Sequence, residues 1–205
     1  MNYIFKRIFY IIWLSVAASV SGAHEISTDQ QMTIKTGEWS ILENCQLIDN
    51  RCNDGDSFRV RHNDKEYVFR LYYVDAPETY GVHSGRVLNQ ASYFGIAPEK
   101  TLEIGKQARQ FTEEKLKKPF TIYTRWRRAL GNGELPRHFA FVAISDGDDL
   151  ASLLARRGLV RIHGVSVGKK FNIPIPDNGK YRHYMHRLYS AQKKAKNEQA
   201  GGWIN

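Results

Sequence analysis

Residues 57–74 read SFRVRHNDKEYVFRLYYV, two β-patterned runs separated by a turn. Residues 57–62 are a strand candidate, and His62-Asn63-Asp64-Lys65 carries hairpin-turn chemistry. Residues 66–74 are rich in aromatic and β-branched side chains, as a strand requires. In this run Tyr67, Phe69, Leu71 and Tyr73 alternate onto one face, which we assign to the core. Val68, Arg70 and Tyr72 fall on the other face.

Working outward, residues 39–48 suit a strand and Asn53-Asp54-Gly55-Asp56 a turn. Residues 79–100, with Gly81, Gly85, Gly95 and Pro98, read as a long irregular loop, a kind that is often functional. A helix is expected over 102–118, ended by Pro119, and a strand over 120–126, followed by a basic stretch and Gly131-Asn132-Gly133. Another strand is expected over 137–144, a short helix over 150–157 stopped by Gly158, and a short strand over 159–163. Pro174, Pro176 and Gly179 mark a loop before a basic helix over 181–196. There are no internal repeats. The pattern predicts an α+β, mainly β protein: a five-stranded barrel of OB type carrying about three helices.

The chain has 205 residues, 42% hydrophobic and 25% charged, which suits one globular domain and excludes disordered and collagen-like classes. Lys+Arg number 30 against 21 Asp+Glu, for a formal net charge of +9. Such a balance favours an anionic partner, nucleic acid or a membrane surface. At the N-terminus Lys6 and Arg7 precede an apolar run over 8–20, then the small residues Ser21-Gly22-Ala23. This reads as a signal peptide over 1–23 with a secreted or periplasmic destination; the run is shorter than the ~20 residues of a spanning helix. An uncleaved N-terminal anchor is the alternative. Residues 24–38 are expected to be a flexible polar segment and 39–205 the domain. After cleavage no stable membrane insertion is expected, and the protein is expected to be a monomer. The only two cysteines, Cys45 and Cys52, are too few for a four-thiolate zinc site; in an oxidising compartment they are expected to pair as a disulfide.

Chemistry concentrates between Asp54 and Thr79. Asp56 opens one strand and Asp75 closes its hairpin neighbour, so two carboxylates meet where a hard cation could bind. Glu78 follows across Ala76-Pro77, a rigid corner. Arg70 lies on the non-core face, five positions before Asp75. A cation and a guanidinium neutralise phosphate charge, and a carboxylate can take a proton from water; together they suit phosphodiester hydrolysis. Taken singly, each has a structural explanation: a turn, a helix start, a solvated arginine.

Together the motifs resemble the staphylococcal-nuclease-like (thermonuclease) family. They are Asp54-Gly55-Asp56-Ser57, Phe69-Arg70-Leu71, Val74-Asp75-Ala76-Pro77-Glu78-Thr79 and Arg137-His138-Phe139-Ala140-Phe141-Val142. The likeness extends through Leu153-Leu154-Ala155-Arg156-Arg157-Gly158-Leu159-Val160 and Ala191-Gln192-Lys193-Lys194-Ala195-Lys196 to Gly202-Trp203. The resemblance implies an OB-fold, calcium-dependent nuclease. Asp56 and Asp75 would ligate Ca²⁺ together with the Ala76 carbonyl, Glu78 would be the general base, and Arg70 and Arg137 would clamp the phosphate. So few protein ligands leave positions for water and substrate, since Ca²⁺ takes six to eight oxygens. The expected partner is DNA and/or RNA. The chain departs from the family pattern in having Ser57 for threonine and Glu134-Leu135-Pro136 before Arg137. It also carries Gly164 and Ser166 near the places of two nucleotide-contacting tyrosines. Tyr80, Tyr93 and Phe94 in the long loop are candidate substitutes for base stacking.

An alternative is an exported OB-fold nucleic-acid-binding module without catalysis, but a binder has no use for a positioned general base. A basic surface or envelope protein is a third reading, and it leaves the acidic motif unexplained. Arg125-Trp126-Arg127-Arg128 interleaves cations with an aromatic and can either track a phosphate backbone or end a strand. His183 and His186 read as a surface pair, and Lys193, Lys194 and Lys196 as a solvated helix face.

Overall fold

The hairpin forms as its pattern requires. β2 (Ser57–His62) pairs antiparallel with β3 (Lys65–Leu71), from Ser57 opposite Arg70 to His62 opposite Lys65. Asn63 and Asp64 both take positive φ, 46° and 59°, the geometry of a two-residue turn whose twist matches that of its strands. The computed structural model describes residues 39–131, 133–169, 171–175 and 179–204. The signal peptide expected at 1–23 and the segment expected at 24–38 lie outside the described residues.

The described residues are α+β, with a five-stranded mixed sheet and four α-helices. β1 (Ser40–Leu47) pairs with β2 on one side and with β5 (Phe120–Ala129) on the other. β5 pairs antiparallel with β6 (Arg137–Ala143), and β6 runs parallel to β3. The order β1-β2-β3-β6-β5 therefore closes on itself as a barrel. Leu42, Val60, Phe69, Leu71, Ile122 and Val142 are buried in the core. A two-stranded ladder, β4 (Val74–Asp75) with β7 (Arg161–Ile162), lies outside that sheet. The helices are α1 (Gly85–Phe94), α2 (Pro98–Lys115), α3 (Leu150–Arg156) and α4 (Tyr181–Asn197), followed by a 3₁₀ turn at Gly201–Trp203. Among the described residues no helix is long and apolar enough to cross a membrane.

Three expectations are corrected. The stretch 79–100 is not one irregular loop, because it contains α1 and the first turn of α2. Ser84 caps α1 by accepting from Val87 N at 3.2 Å, and Gly95 ends it at φ 74°. Pro98 stands at the first position of α2, where its missing N–H costs nothing. Tyr72, expected on the outer face, is 1% exposed. β3 ends at Leu71 and Tyr73 turns to φ 64°, so alternation stops. Tyr72 then stacks on Phe139 at 5.2 Å, and Tyr73 packs against Tyr184 of α4 at 5.5 Å. The expected Cys45–Cys52 disulfide is absent. Cys45 is a buried strand residue whose thiol donates to the Leu42 carbonyl at 3.3 Å, whereas Cys52 is exposed in the turn after β1.

Candidate active site

The hairpin and the β4–β7 ladder bring the acidic motif and Arg70 together. Asp56 immediately precedes β2, and its backbone carbonyl accepts from Leu71 N at 2.8 Å. Gly55 lies under α2, where an added Cβ would fall 2.6 Å from the Ala108 methyl. Thr112 Oγ1 of α2 also donates to the Gly55 carbonyl at 2.7 Å. The 54–56 turn is thus held from both sides, and Asp56 is buried completely.

Arg70 Nη2 lies 2.8 Å from Asp56 Oδ2 and 2.6 Å from Asp75 Oδ1. Arg70 Nη1 donates to Ser57 Oγ at 3.3 Å, and Arg137 Nη1 reaches the same hydroxyl at 3.4 Å. Arg137 also donates to the Leu130 carbonyl. Both predicted arginines therefore converge on Ser57, at the predicted acid pair. Glu78 is partly exposed beside them, its backbone N–H held by Gln90 Oε1 at 3.0 Å.

Three partners were not anticipated. Arg86 and Gln90 come from α1, the helix missed in the 79–100 stretch. Arg86 Nη2 donates to Asp75 Oδ1 at 2.8 Å, and its Nε pairs with Glu78 Oε1 at 2.6 Å. Buried Gln90 donates through Nε2 to Asp75 Oδ2 and to the Ala76 carbonyl, both at 3.0 Å. Arg161 sits directly across the β4–β7 ladder from Asp75, and its Nε donates to Asp75 Oδ2 at 2.8 Å. The signals were present: Ser84 as cap, Gly95 as terminator, and Val87, Ala91 and Phe94 at helical spacing.

Burial dominates the electrostatics around Asp56, with neighbouring carboxylates and guanidiniums acting in opposite senses. Burial, then neighbouring Asp56, pushes the Asp54 carboxyl up to about 7. Burial also raises Asp56, with Arg70 working against it and Asp75 adding to it. Glu78 is raised by burial and by Asp56 and Asp75, against the pull of Arg86. Asp75 goes the other way: burial acts to raise it, but the Gln90 amide and the Arg86, Arg70 and Arg161 guanidiniums together hold it below the usual range.

For a metal, the described residues contain no group of three or more His, Cys, Asp or Glu side chains arranged to hold an ion. The donor set that exists is the Asp56–Asp75 pair, which converges on one cationic nitrogen, Arg70 Nη2. In the structure that place between the two carboxylates is taken by the guanidinium, so a divalent cation held there would have to displace it and draw most of its shell from water. The Ala76 carbonyl, the third expected ligand, is turned to Gln90.

The surroundings of the cluster are less aromatic than the long stretch 79–100 suggested. Tyr93 donates to Gln192 Oε1 of α4 at 2.8 Å, and Phe94 packs on Trp203 at 4.9 Å, so both serve packing. Tyr80 is 76% exposed and lines a groove with Ser57 and Arg137. Ser166 Oγ is bonded to the Tyr73 hydroxyl at 3.1 Å. No family model matches the chain, and no curated protein matches it.

Proposed function

We propose that this chain is an exported, divalent-metal-dependent nuclease on an OB-type barrel, hydrolysing phosphodiester bonds in DNA and/or RNA as a monomer. The observation that carries this reading is the convergence of Asp56 and Asp75 on Arg70 Nη2, with Glu78 and Arg137 beside it. The strand order, with β3 parallel to β6 and β1 closing on β5, supports the OB assignment, as does the resemblance of the motifs to the staphylococcal-nuclease-like family.

Asp56 and Asp75 would hold the cation, Ca²⁺ by that resemblance, which when bound supplies charge neutralisation at the phosphate. Arg70 and Arg137, which both reach the Ser57 hydroxyl, would contact two oxygens of a phosphate seated over Ser57 and stabilise the charge that grows in the transition state. Glu78 accepts the proton of the attacking water. Its raised proton affinity suits it to that task, since a base works best with a pKa nearer the working pH. Gln90 holds the Glu78 backbone, the Ala76 carbonyl and Asp75 in one arrangement.

The test is incubation of the purified chain with single-stranded DNA and with RNA, with Ca²⁺ or with chelator. Cleavage that needs the metal is expected. Binding without cleavage under every divalent ion tried would sink the nuclease reading and leave the non-catalytic binding module.

A further inference from the structure

A second basic surface lies away from the acidic cluster. The bulged half of β5, Val167 and Phe171 flank a groove of about 1030 Å³. Tyr67, Trp126 and Phe171 line it together with Arg125, Arg127 and Arg128. Its acidic lining residue, Glu66, is already paired with Arg59 and Arg61, at 3.7 and 3.3 Å.

The backbone is built to present these cations. The β5 register shifts between Thr124 and Arg128, and Trp126 takes φ 56°, a left-handed conformation unusual for a bulky side chain. Trp126 is fixed there: its N–H donates to Thr124 Oγ1 at 3.0 Å, its Nε1 donates to Ser40 Oγ at 2.8 Å, and its ring packs on Tyr67 at 5.4 Å. A regular strand would send alternate side chains to opposite faces. Here consecutive Arg127 and Arg128 are both exposed. Bulges of this kind re-aim side chains next to functional sites.

We propose that this groove is a second nucleic-acid subsite, which holds the single strand as it leaves the candidate cleavage centre. The direction of the strand rests on the nuclease reading; the binding does not. Leu135 lines both this groove and the neighbouring one that contains Ser57, Tyr80 and Arg137, so the two surfaces are continuous. The arginines match a phosphate backbone. Trp126 is buried and the Arg125 guanidinium lies 3.6 Å over the Phe171 ring, so a base would meet half-buried Tyr67 and the planar guanidinium of Arg125. A duplex keeps its base faces inside its own stack, so the occupant is a single strand.

Binding of a fluorescent oligothymidylate about twenty nucleotides long, enough for one barrel's site, is measured in chelator so that no cleavage intervenes. The double variant Arg127→Glu/Arg128→Glu should bind at least ~10-fold more weakly and lower the salt slope of log K by about 1 to 2. Arg128→Glu alone should give part of that loss and guards against a fold defect from breaking the Arg127 contact to the Ser166 carbonyl. Lys193→Glu/Lys194→Glu on α4 makes the same charge change off the groove and should bind as the parent does. Unchanged affinity in the β5 variants, an equal loss in the α4 variant, or tighter groove-dependent binding of a duplex would each overturn the proposal. With metal restored, cleavage of a dinucleotide should be the same in the double variant as in the parent while cleavage of the long strand falls. An equal fall in both would place Arg127 and Arg128 at the centre itself and refute the exit path. A chain that cleaves nothing yet loses affinity in the β5 variants would refute the nuclease reading and leave the binding subsite standing.

Discussion

Arg86 Nε lies 2.6 Å from Glu78 Oε1, so the carboxylate proposed as general base is tied to α1, a helix whose flanking glycines and proline give it the sequence pattern of a loop. The same guanidinium reaches Asp75, which also accepts from Arg70 and Arg161. Asp75 is therefore crowded by positive charge, while Asp56 is matched only by Arg70 among the ion pairs. That asymmetry explains why burial raises Asp56 but fails to raise Asp75.

Removing an acid from the pair and removing a cation that holds it should have opposite effects on metal. Asp56→Asn and Asp75→Asn each remove a carboxylate from the pair and should raise the Ca²⁺ concentration needed for half-maximal cleavage. Arg86→Ala removes a cation that competes for Asp75 and should lower it. Metal titrations of cleavage check both directions. Curves that overlay the parent for the aspartate variants would remove the ligand assignment.

Glu78→Gln keeps the shape of the side chain and removes its basicity. Cleavage should fall by ~10²–10⁴ with the melting temperature little changed, because Glu78 is only partly buried and Gln90 holds its backbone rather than its carboxylate. Rates under saturating metal, alongside thermal melts, read this. A folded variant that turns over at the parent rate contradicts the assignment of the base.

Residue periodicity made the β2–β3 hairpin, the later strands and the acidic cluster legible, because each depends on local chemistry. Asn63 and Asp64 suit their turn, and one hairpin register sets Ser57 opposite Arg70 and so brings Asp56 to Arg70; Asp75 does not close the hairpin strand as expected but reaches the pair from β4. Arg161 was not legible: its place opposite Asp75 comes from the pairing of β4 with β7, which are two residues long and far apart in the chain. Arg86 and Gln90 were missed because glycines and a proline in the 79–100 stretch were read as breakers. Gly85 and Pro98 in fact open helices and Gly95 closes one. The disulfide expectation failed for a related reason. Proximity in sequence says nothing of direction, and Cys45 belongs to the barrel core.

Thiol reactivity should report that separation. Burial pushes the Cys45 thiol up to about 12, and thiolate is the reactive form. A chromogenic disulfide reagent should therefore titrate Cys52 quickly in the native protein and Cys45 only in denaturant. Intact mass after alkylation of unfolded, unreduced protein should show both labelled. An unlabelled species two mass units below the reduced chain would show that the thiols had paired.

Asp149 caps α3, accepting from Ser152 N at 3.0 Å and from Ser152 Oγ at 2.6 Å, yet it is buried, and burial raises its carboxyl above the ordinary range. The folded state then binds the proton more tightly than the unfolded chain does. Stability contributed by this group is present at low pH and is lost as pH rises from the unfolded value towards the folded one. Asparagine caps a helix about as well without the charge. Asp149→Asn should therefore gain stability relative to the parent between pH 4 and pH 7, in urea melts at the two pH values. Asp149→Ala, with no cap, should be less stable than Asp149→Asn by ~1 kcal/mol at both. A difference between Asp149→Asn and the parent that shrinks as pH rises contradicts the burial argument.

Gly105 joins helix packing to the site. It lies inside α2, where replacement by alanine ordinarily gains ~1 kcal/mol of helix propensity. Here an added Cβ would fall 2.3 Å from the Glu78 carbonyl oxygen and 2.6 Å from that of Pro77. Neither atom can swing aside as a side-chain tip would, since both belong to the rigid Pro77-Glu78 corner whose next contact is Gln90. Overpacking of this kind costs typically ~1–3 kcal/mol, so the clash should exceed the propensity gain. Gly105→Ala is expected to lower the melting temperature and, by shifting the Glu78 backbone, to lower kcat more than a neutral surface change in the same helix does. Lys106→Ala, one position along and exposed, is the reference. Equal melting temperatures and equal kcat for the two variants would mean that α2 does not position the Pro77-Glu78 corner.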